Sequence, residues 1–278
     1  MKTLRHAVRG ERGYTLVELM LAVAILSIAM GAILSMYTSG NTIAMTGENK
    51  AEAQQGARGT LQIEEDLKLA GYGYPPGTTV FAPTTTSPSN PGTTTTSVSF
   101  WGDLVGATTT LTLATPANCA TSNSVNVGDK TFTVVNGSGF AAGNTIYLIN
   151  EGTSESLTVS SATATSVTVS NSAGAVNSYP CGAQVGLPRQ ITYSWDGTST
   201  ITRDAGDGNG PQTAVTGVTA FSLTYYDQTD TAIAAANIAT NLANIRRVVI
   251  GMTAQSTVAL NRGRFTLTSS VRPRNVLP

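Results

Sequence analysis

From Leu19 to Gly47 the chain carries no charged side chain, and Leu19 to Tyr37 supply 19 mostly apolar residues. About 20 such residues span the hydrocarbon core of a bilayer. No proline occurs from Tyr14 through Tyr74, so the pattern predicts one helix from Tyr14 to about Ala70, on the order of 85 Å long. Its second half changes character. Ala53, Gly56, Thr60, Ile63, Leu67 and Ala70 recur at spacings of three and four, a stripe suited to packing on a sheet. Glu52, Arg58, Glu64, Glu65 and Lys68 fall mostly on other faces. Gly71 is a natural C-cap, and Pro75-Pro76 forbid continuation. Gly31, Gly40, Gly47, Gly56 and Gly59 weaken the helix locally. Two readings of them stand open: a helix that stretches or melts, or glycine for close packing.

Beyond the helix the period shortens. Thr78–Ser97 is rich in Thr, Pro, Ser and Gly and reads as a mobile surface loop, with glycosylation as an alternative. Short β-like runs follow at Ser97–Trp101, Thr108–Leu113, Thr131–Val135, Thr145–Ile149, Ser156–Val159 and Ser166–Ser170. Turn signals such as Asn136-Gly, Gly143-Asn and Glu151-Gly separate them, which predicts a small barrel or sandwich. Near the C-terminus Phe221, Leu223 and Tyr225 alternate, as do Val248, Ile250 and Met252, then Phe265, Leu267 and Val271 one step out of phase. These are half-buried antiparallel strands whose apolar face the amphipathic helix can cover. The predicted fold class is α+β.

Composition narrows the function. Charged residues are 12% of the 278, about half the usual share. Lys plus Arg (16) balance Asp plus Glu (16), without the basic surplus of a nucleic-acid binder. Threonine, at 44 residues, favours strands and turns over helices. The single histidine is His6. If the N-terminus is processed away, no Ser-His-Asp triad, HExxH zinc site or Cys-His dyad can be built. The chain is therefore not expected to be an enzyme.

The charge that exists near the N-terminus is ordered. Lys2, Arg5, Arg9 and Arg12, against one Glu11, precede the apolar run, which keeps the N-terminus cytoplasmic and sends the rest across the membrane. A cleavable secretory signal would be cut after the run, near Ser35–Ala44, which offers only a weak site of that kind. A plain anchor and a buried core helix are the other bland readings. Glu18 separates a sharper one. A carboxylate deep in a membrane costs roughly 2.5–3.5 kcal/mol on insertion scales, and within its own helix it has no charged partner before Glu48. A free α-amine on Tyr14, made by cleavage after Gly13, would be a suitable cation in a neighbouring chain.

The basic leader, Gly13, then Tyr14-Thr-Leu-Val-Glu18 and an apolar helix resemble the prepilin motif of type IV pilins and type II secretion pseudopilins. The family pattern has Phe where this chain has Tyr14. The resemblance implies cleavage between Gly13 and Tyr14 by a prepilin peptidase, N-methylation of Tyr14, and a docking role for Glu18 in filament assembly. Glu65-Asp-Leu-Lys-Leu-Ala-Gly-Tyr-Gly-Tyr74 is similar to the end of this helix in PilW-type minor pilins. So are Ile191-Thr-Tyr-Ser-Trp, Arg203, Val218 to Asp227, Ile245 to Ala254 and Ser270 to Asn275, in that order. Together they imply a pilin-like division: a leader at 1–13, a membrane and filament-core helix at 14–40 and an amphipathic helix at 41–74. A loop with the first strand at 75–103, an inserted β-rich module at 104–186 and a C-terminal sheet at 187–278 complete it. The implied partners are the prepilin peptidase, other major and minor pilins, the inner-membrane assembly platform and the membrane itself. No cofactor and no nucleic acid is implied. A GspJ-type pseudopilin shares this architecture. A rival of another class is an anchored extracytoplasmic binding protein or hydrolase.

Other candidate sites are few. Cys119 and Cys181, the only cysteines, are not at metal spacing; outside the cytoplasm an even pair suggests a disulfide, against two separate thiols. Asp204-Ala-Gly-Asp207-Gly-Asn209 offers oxygen ligands for calcium, but misses the EF-hand pattern and suits ordinary turns; no metal site is expected. The glycine-rich stretches lack a P-loop lysine. Trp101 and Trp195 read as core anchors rather than ligand platforms.

Overall fold

A computed structural model describes residues 15–83, 91–113, 119, 122–255 and 264–276. The chain divides into two units, Met1–Lys50 and Ala51–Pro278, and helix α1 (Leu16–Lys68) runs through the boundary.

In the first unit Leu16–Ile43 form a 28-residue stretch long and apolar enough to cross a membrane, and all of it is exposed. Three of its hydroxyls, on Ser27, Thr38 and Thr42, turn back on the helix backbone. Ser27 Oγ donates to Val23 O (2.7 Å) and Thr38 Oγ1 to Leu34 O (3.0 Å). Such back-bonding satisfies these hydroxyl hydrogens within the helix, as an apolar surrounding requires.

In the second unit the predicted stripe is buried: Ile63, Leu67 and Ala70 are wholly inaccessible, with Gly56, Gly59 and Thr60 behind them. Ala53 of that stripe lies where side chains are not described. The α-helix ends at Lys68, and Leu69 and Ala70 donate to Asp66 and Leu67 carbonyls in a tightened last turn. Gly71 then takes φ +84°, where a Cβ would meet the Asn275 carbonyl.

Two antiparallel sheets supply the other side of this core. One has the order β1-β10-β11-β12 (Ser97–Gly102, Arg189–Trp195, Thr200–Asp204, Gln212–Thr216). The other has the order β13-β14-β15 (Val218–Tyr226, Arg247–Gln255, Arg264–Val271). Cross-strand pairs Phe221↔Met252, Leu223↔Ile250 and Tyr225↔Val248 follow the predicted alternation, and Met252 continues to Leu267. The sheets are tied at one corner, where Leu223 N donates to Thr95 O and Tyr225 Oη reaches Thr94 O (2.8 Å). The segment expected to be a surface loop contributes here too. Val80, Phe81 and Ala82 are buried and Phe81 bridges Phe100, because three apolar side chains outweigh the polar residues around them. Residues 84–90 of that segment lie outside the described residues.

A polar clamp holds the helix to the first sheet. Asp66 Oδ2 accepts from Tyr193 Oη (2.6 Å) and Arg203 Nε (2.8 Å), and Arg203 Nε also lies 3.0 Å from Tyr193 Oη. Burial, then the Asp66 carboxylate, pushes the Tyr193 phenol well above its ordinary pKa.

Between β1 and β10 the chain builds a second core. Strands β2 (Thr109–Thr112), β4 (Thr131–Val134), β5 (Thr145–Asn150), β6 (Thr153–Ala162), β7 (Ser166–Val169) and β9 (Gln184–Gly186) close into a barrel of order β2-β4-β7-β6-β5-β9. β3 (Asn123–Val125) and β8 (Tyr179–Pro180) pair beside it. Leu111, Phe132, Ile146, Leu148, Val167 and Val185 fill the interior. The barrel is entered through Asp103, whose carboxylate accepts the N–H groups of Val105, Gly106 and Thr108. Cys119 and Cys181 form a disulfide with Cα atoms 5.4 Å apart.

Candidate functional site

The apolar helix begins on a reciprocal cap. Thr15 immediately precedes Leu16, the first helical residue, and its Oγ1 accepts from the Glu18 N–H at 3.2 Å. Glu18 Oε2 in turn accepts from the Thr15 N–H (3.0 Å) and the Thr15 hydroxyl (3.1 Å). This is the Ser/Thr-x-x-Glu capping box, in which two orphan donors at a helix start are satisfied by each other's side chains. It amends the expectation for Glu18. The carboxylate has no charged partner in its own helix, yet two donors and the positive end of the helix dipole stabilise it there. Thr15-Leu-Val-Glu18 is the sequence signature of this box, and it accounts for Glu18 without any charge pair.

Gly13 and Tyr14 lie outside the described residues, so cleavage and methylation rest on the sequence motif. A family model described as a prokaryotic N-terminal methylation motif matches residues 8–34, which contain Gly13, Tyr14, Glu18 and more than half of the apolar stretch. This is a type IV pilin-like chain. The motif implies processing by a prepilin peptidase and handling by pilin assembly machinery in general, and together with the apolar N-terminal helix it points to a membrane-anchored protein. Its long helix followed by antiparallel sheets is the α+β arrangement of pilin folds. No curated protein and no solved structure matches the chain.

The remaining expected sites separate. In the Asp204–Asn209 loop the carboxylates serve the turn: Asp204 Oδ1 accepts from Gly206 N (2.9 Å), and Asp207 from Asn209 N (3.0 Å) and Nδ2 (2.9 Å). Among the described residues no three His, Cys, Asp or Glu side chains gather as metal ligands. Trp195 packs half-buried on the main core, as a core anchor should. Trp101 instead lines an open cleft, with its ring stacked on Tyr74.

Proposed function

We propose that the chain is a PilW-type minor pilin of a type IV pilus, acting in initiation or at the tip, with a structural and not a catalytic role. In this reading it sits in the bacterial inner membrane with the head outside the cytoplasm, and after cleavage passes into the filament on the cell surface. The carrying observation is the capped, unbroken apolar helix beginning at the methylation motif, with Glu18 in its first turn. The order of the PilW-like segments along the head adds support. Glu18 would pair with the Tyr14 amine of a neighbouring subunit, and removing one partner of such a buried pair costs about 3–5 kcal/mol.

Two substitutions separate docking from capping. Glu18→Gln keeps an acceptor for the Thr15 N–H and removes the charge. Thr15→Val weakens the cap, by about 1 kcal/mol, and keeps the charge. At equal membrane levels, Glu18→Gln should lower recovery in sheared pili at least tenfold and Thr15→Val should not. Intact mass should show loss of residues 1–13 and one added methyl group in every case. Wild-type recovery of Glu18→Gln would overturn the docking role. A chain absent from pili but needed for protein secretion would mark a type II secretion pseudopilin instead.

A further inference from the structure

A cleft of about 510 Å³ opens where the barrel meets the first sheet of the head. That volume lies within the range of small-ligand sites. Its wall joins both cores: Trp101 comes from β1, Asn144 from the turn just before the barrel's β5, Tyr147 from β5, and Arg189 and Gln190 from β10. The aromatic part is braced. Tyr74 stacks on Trp101 with centroids 5.7 Å apart and planes within 6°, and meets Tyr147 edge-on at 5.3 Å. One face of the indole is therefore backed by a ring, and Trp101 still lines the cleft.

The polar groups are divided between donors and acceptors. Asn144 Oδ1 is occupied by the Ala141 N–H (2.8 Å), which leaves its amide hydrogens to donate. Gln190 Nε2 donates to Ser99 Oγ (3.0 Å), which leaves its carbonyl oxygen to accept. Arg189 forms no salt bridge among the described residues, and Asp207 stands on the same rim. One cation and one anion give the cleft no net charge. A wholly apolar ligand would strand the Asn144 amide hydrogens, the Gln190 carbonyl oxygen and the Arg189 guanidinium, and an anionic one would lose at Asp207 what it gains at Arg189.

We propose that this cleft is a binding site for an uncharged pyranose oligosaccharide, whose C–H face lies on Trp101 and Tyr147 and whose hydroxyls bridge Asn144, Gln190, Arg189 and Asp207. A sugar presents an apolar face and alternating donor–acceptor edges, the combination this wall displays. The site belongs to the head and stands independently of filament assembly.

The test uses the full chain in detergent with Trp195→Phe, which leaves Trp101 as the only indole. That change is mild, because the Trp195 Nε1 is buried without a partner. Cellotriose, chitotriose and galactotriose are titrated against Trp101 emission, with trigalacturonate as the anionic arm. At least one neutral trisaccharide should give saturable quenching with a dissociation constant on the order of 1 mM. Trigalacturonate should bind at least threefold more weakly. Asn144→Asp, which keeps the acceptor for the Ala141 N–H and removes the amide donors, and Arg189→Met, both of which leave the aromatic wall in place, should each weaken binding about tenfold with a melting temperature within a few degrees of the parent. No saturation by any neutral trisaccharide at roughly tenfold higher concentration would overturn the proposal. So would binding that neither substitution alters, or tighter binding of the anionic sugar.

Discussion

Asp66 is the residue whose removal should most clearly uncouple the amphipathic helix from the head sheet. It is 15% exposed and Arg203 is 23% exposed, so water reaches the pair only partly. Breaking a fully buried pair costs about 3–5 kcal/mol, and each hydrogen bond to a charged group contributes about 1.5–3 kcal/mol. Partial hydration of Arg203 and the surviving contact between Arg203 Nε and Tyr193 Oη, 3.0 Å, offset some of this. Alanine also favours the helix over aspartate by up to about 0.7 kcal/mol. The expected net loss for Asp66→Ala is about 2–3 kcal/mol. For a unit the size of Ala51–Pro278 each kcal/mol moves the midpoint by roughly 2–4 °C, so the melt should fall by roughly 4–12 °C. Asp66→Asn keeps an acceptor and should lose about half as much. Glu65→Ala, on the exposed face beside it, reports the helix-propensity change alone and should be near neutral. The assay is thermal unfolding of the full chain in detergent, followed by near-ultraviolet circular dichroism. A double-mutant cycle with Arg203→Met should return a coupling above about 1 kcal/mol. A loss no larger than that of Glu65→Ala, or a coupling below about 0.5 kcal/mol, would refute the clamp.

Other expectations follow from the packing. Gly56→Ala places a Cβ no closer than 3.4 Å to Met252, Ala254 and Leu267, whereas Gly59→Ala drives one to 2.0 Å from Val215 Cγ2. The first should stabilise the head by about 0.5–1 kcal/mol and the second should destabilise it by about 1–3 kcal/mol; equal melts would refute close packing as the reason for Gly59. Reducing the Cys119–Cys181 bridge, which closes a loop of sequence separation 62, should cost about 4 kcal/mol in the chain-entropy model. Hydrogen exchange should then rise in barrel strands before head strands, and uniform exchange would count against a separate barrel core. Burial raises the phenols of Tyr179, to about 12, and of Tyr193 and Tyr225. Folded values above the unfolded value of about 10 mean stability that is complete below pH 10 and lost as pH rises toward 12. Phenolate absorbance and unfolding should rise together above pH 10; release of all nine tyrosines near pH 10 without unfolding would contradict it.

Much of this molecule was legible because its strongest signals are local. An uncharged run, a basic leader and Glu18 lie within 50 residues of one another, and a helix stripe or a strand alternation can be counted along the chain. That is why Ile63, Leu67 and Ala70, or Phe221, Leu223 and Tyr225, were assigned to a core that does bury them. The cysteine pair, 62 apart in sequence, was readable for a different reason, its even count outside the cytoplasm. What escaped depends on partners far away in sequence. β9 is three residues long and carries no periodicity, yet it pairs with both β2 and β5 and so closes the barrel. The Val80-Phe81-Ala82 triplet was hidden by its threonine-rich neighbours and makes sense only once Phe100 lies beside it.

The clamp and the cleft fall in the same class. Asp66, Tyr193 and Arg203 each stand in a segment that looked family-like, but nothing in any one segment says that the three side chains meet at a single carboxylate oxygen. Trp101 reads as a core residue by composition, because a tryptophan between apolar neighbours normally is one. It lines the cleft because the inserted barrel brings Tyr147 and Asn144 opposite it. Insertion therefore does more than enlarge the head. It turns an edge of the first sheet into a concave wall with rings on one side and partly occupied polar groups on the other. The N-terminal helix carries the methylation motif, and the concave wall lies where the second core joins the first.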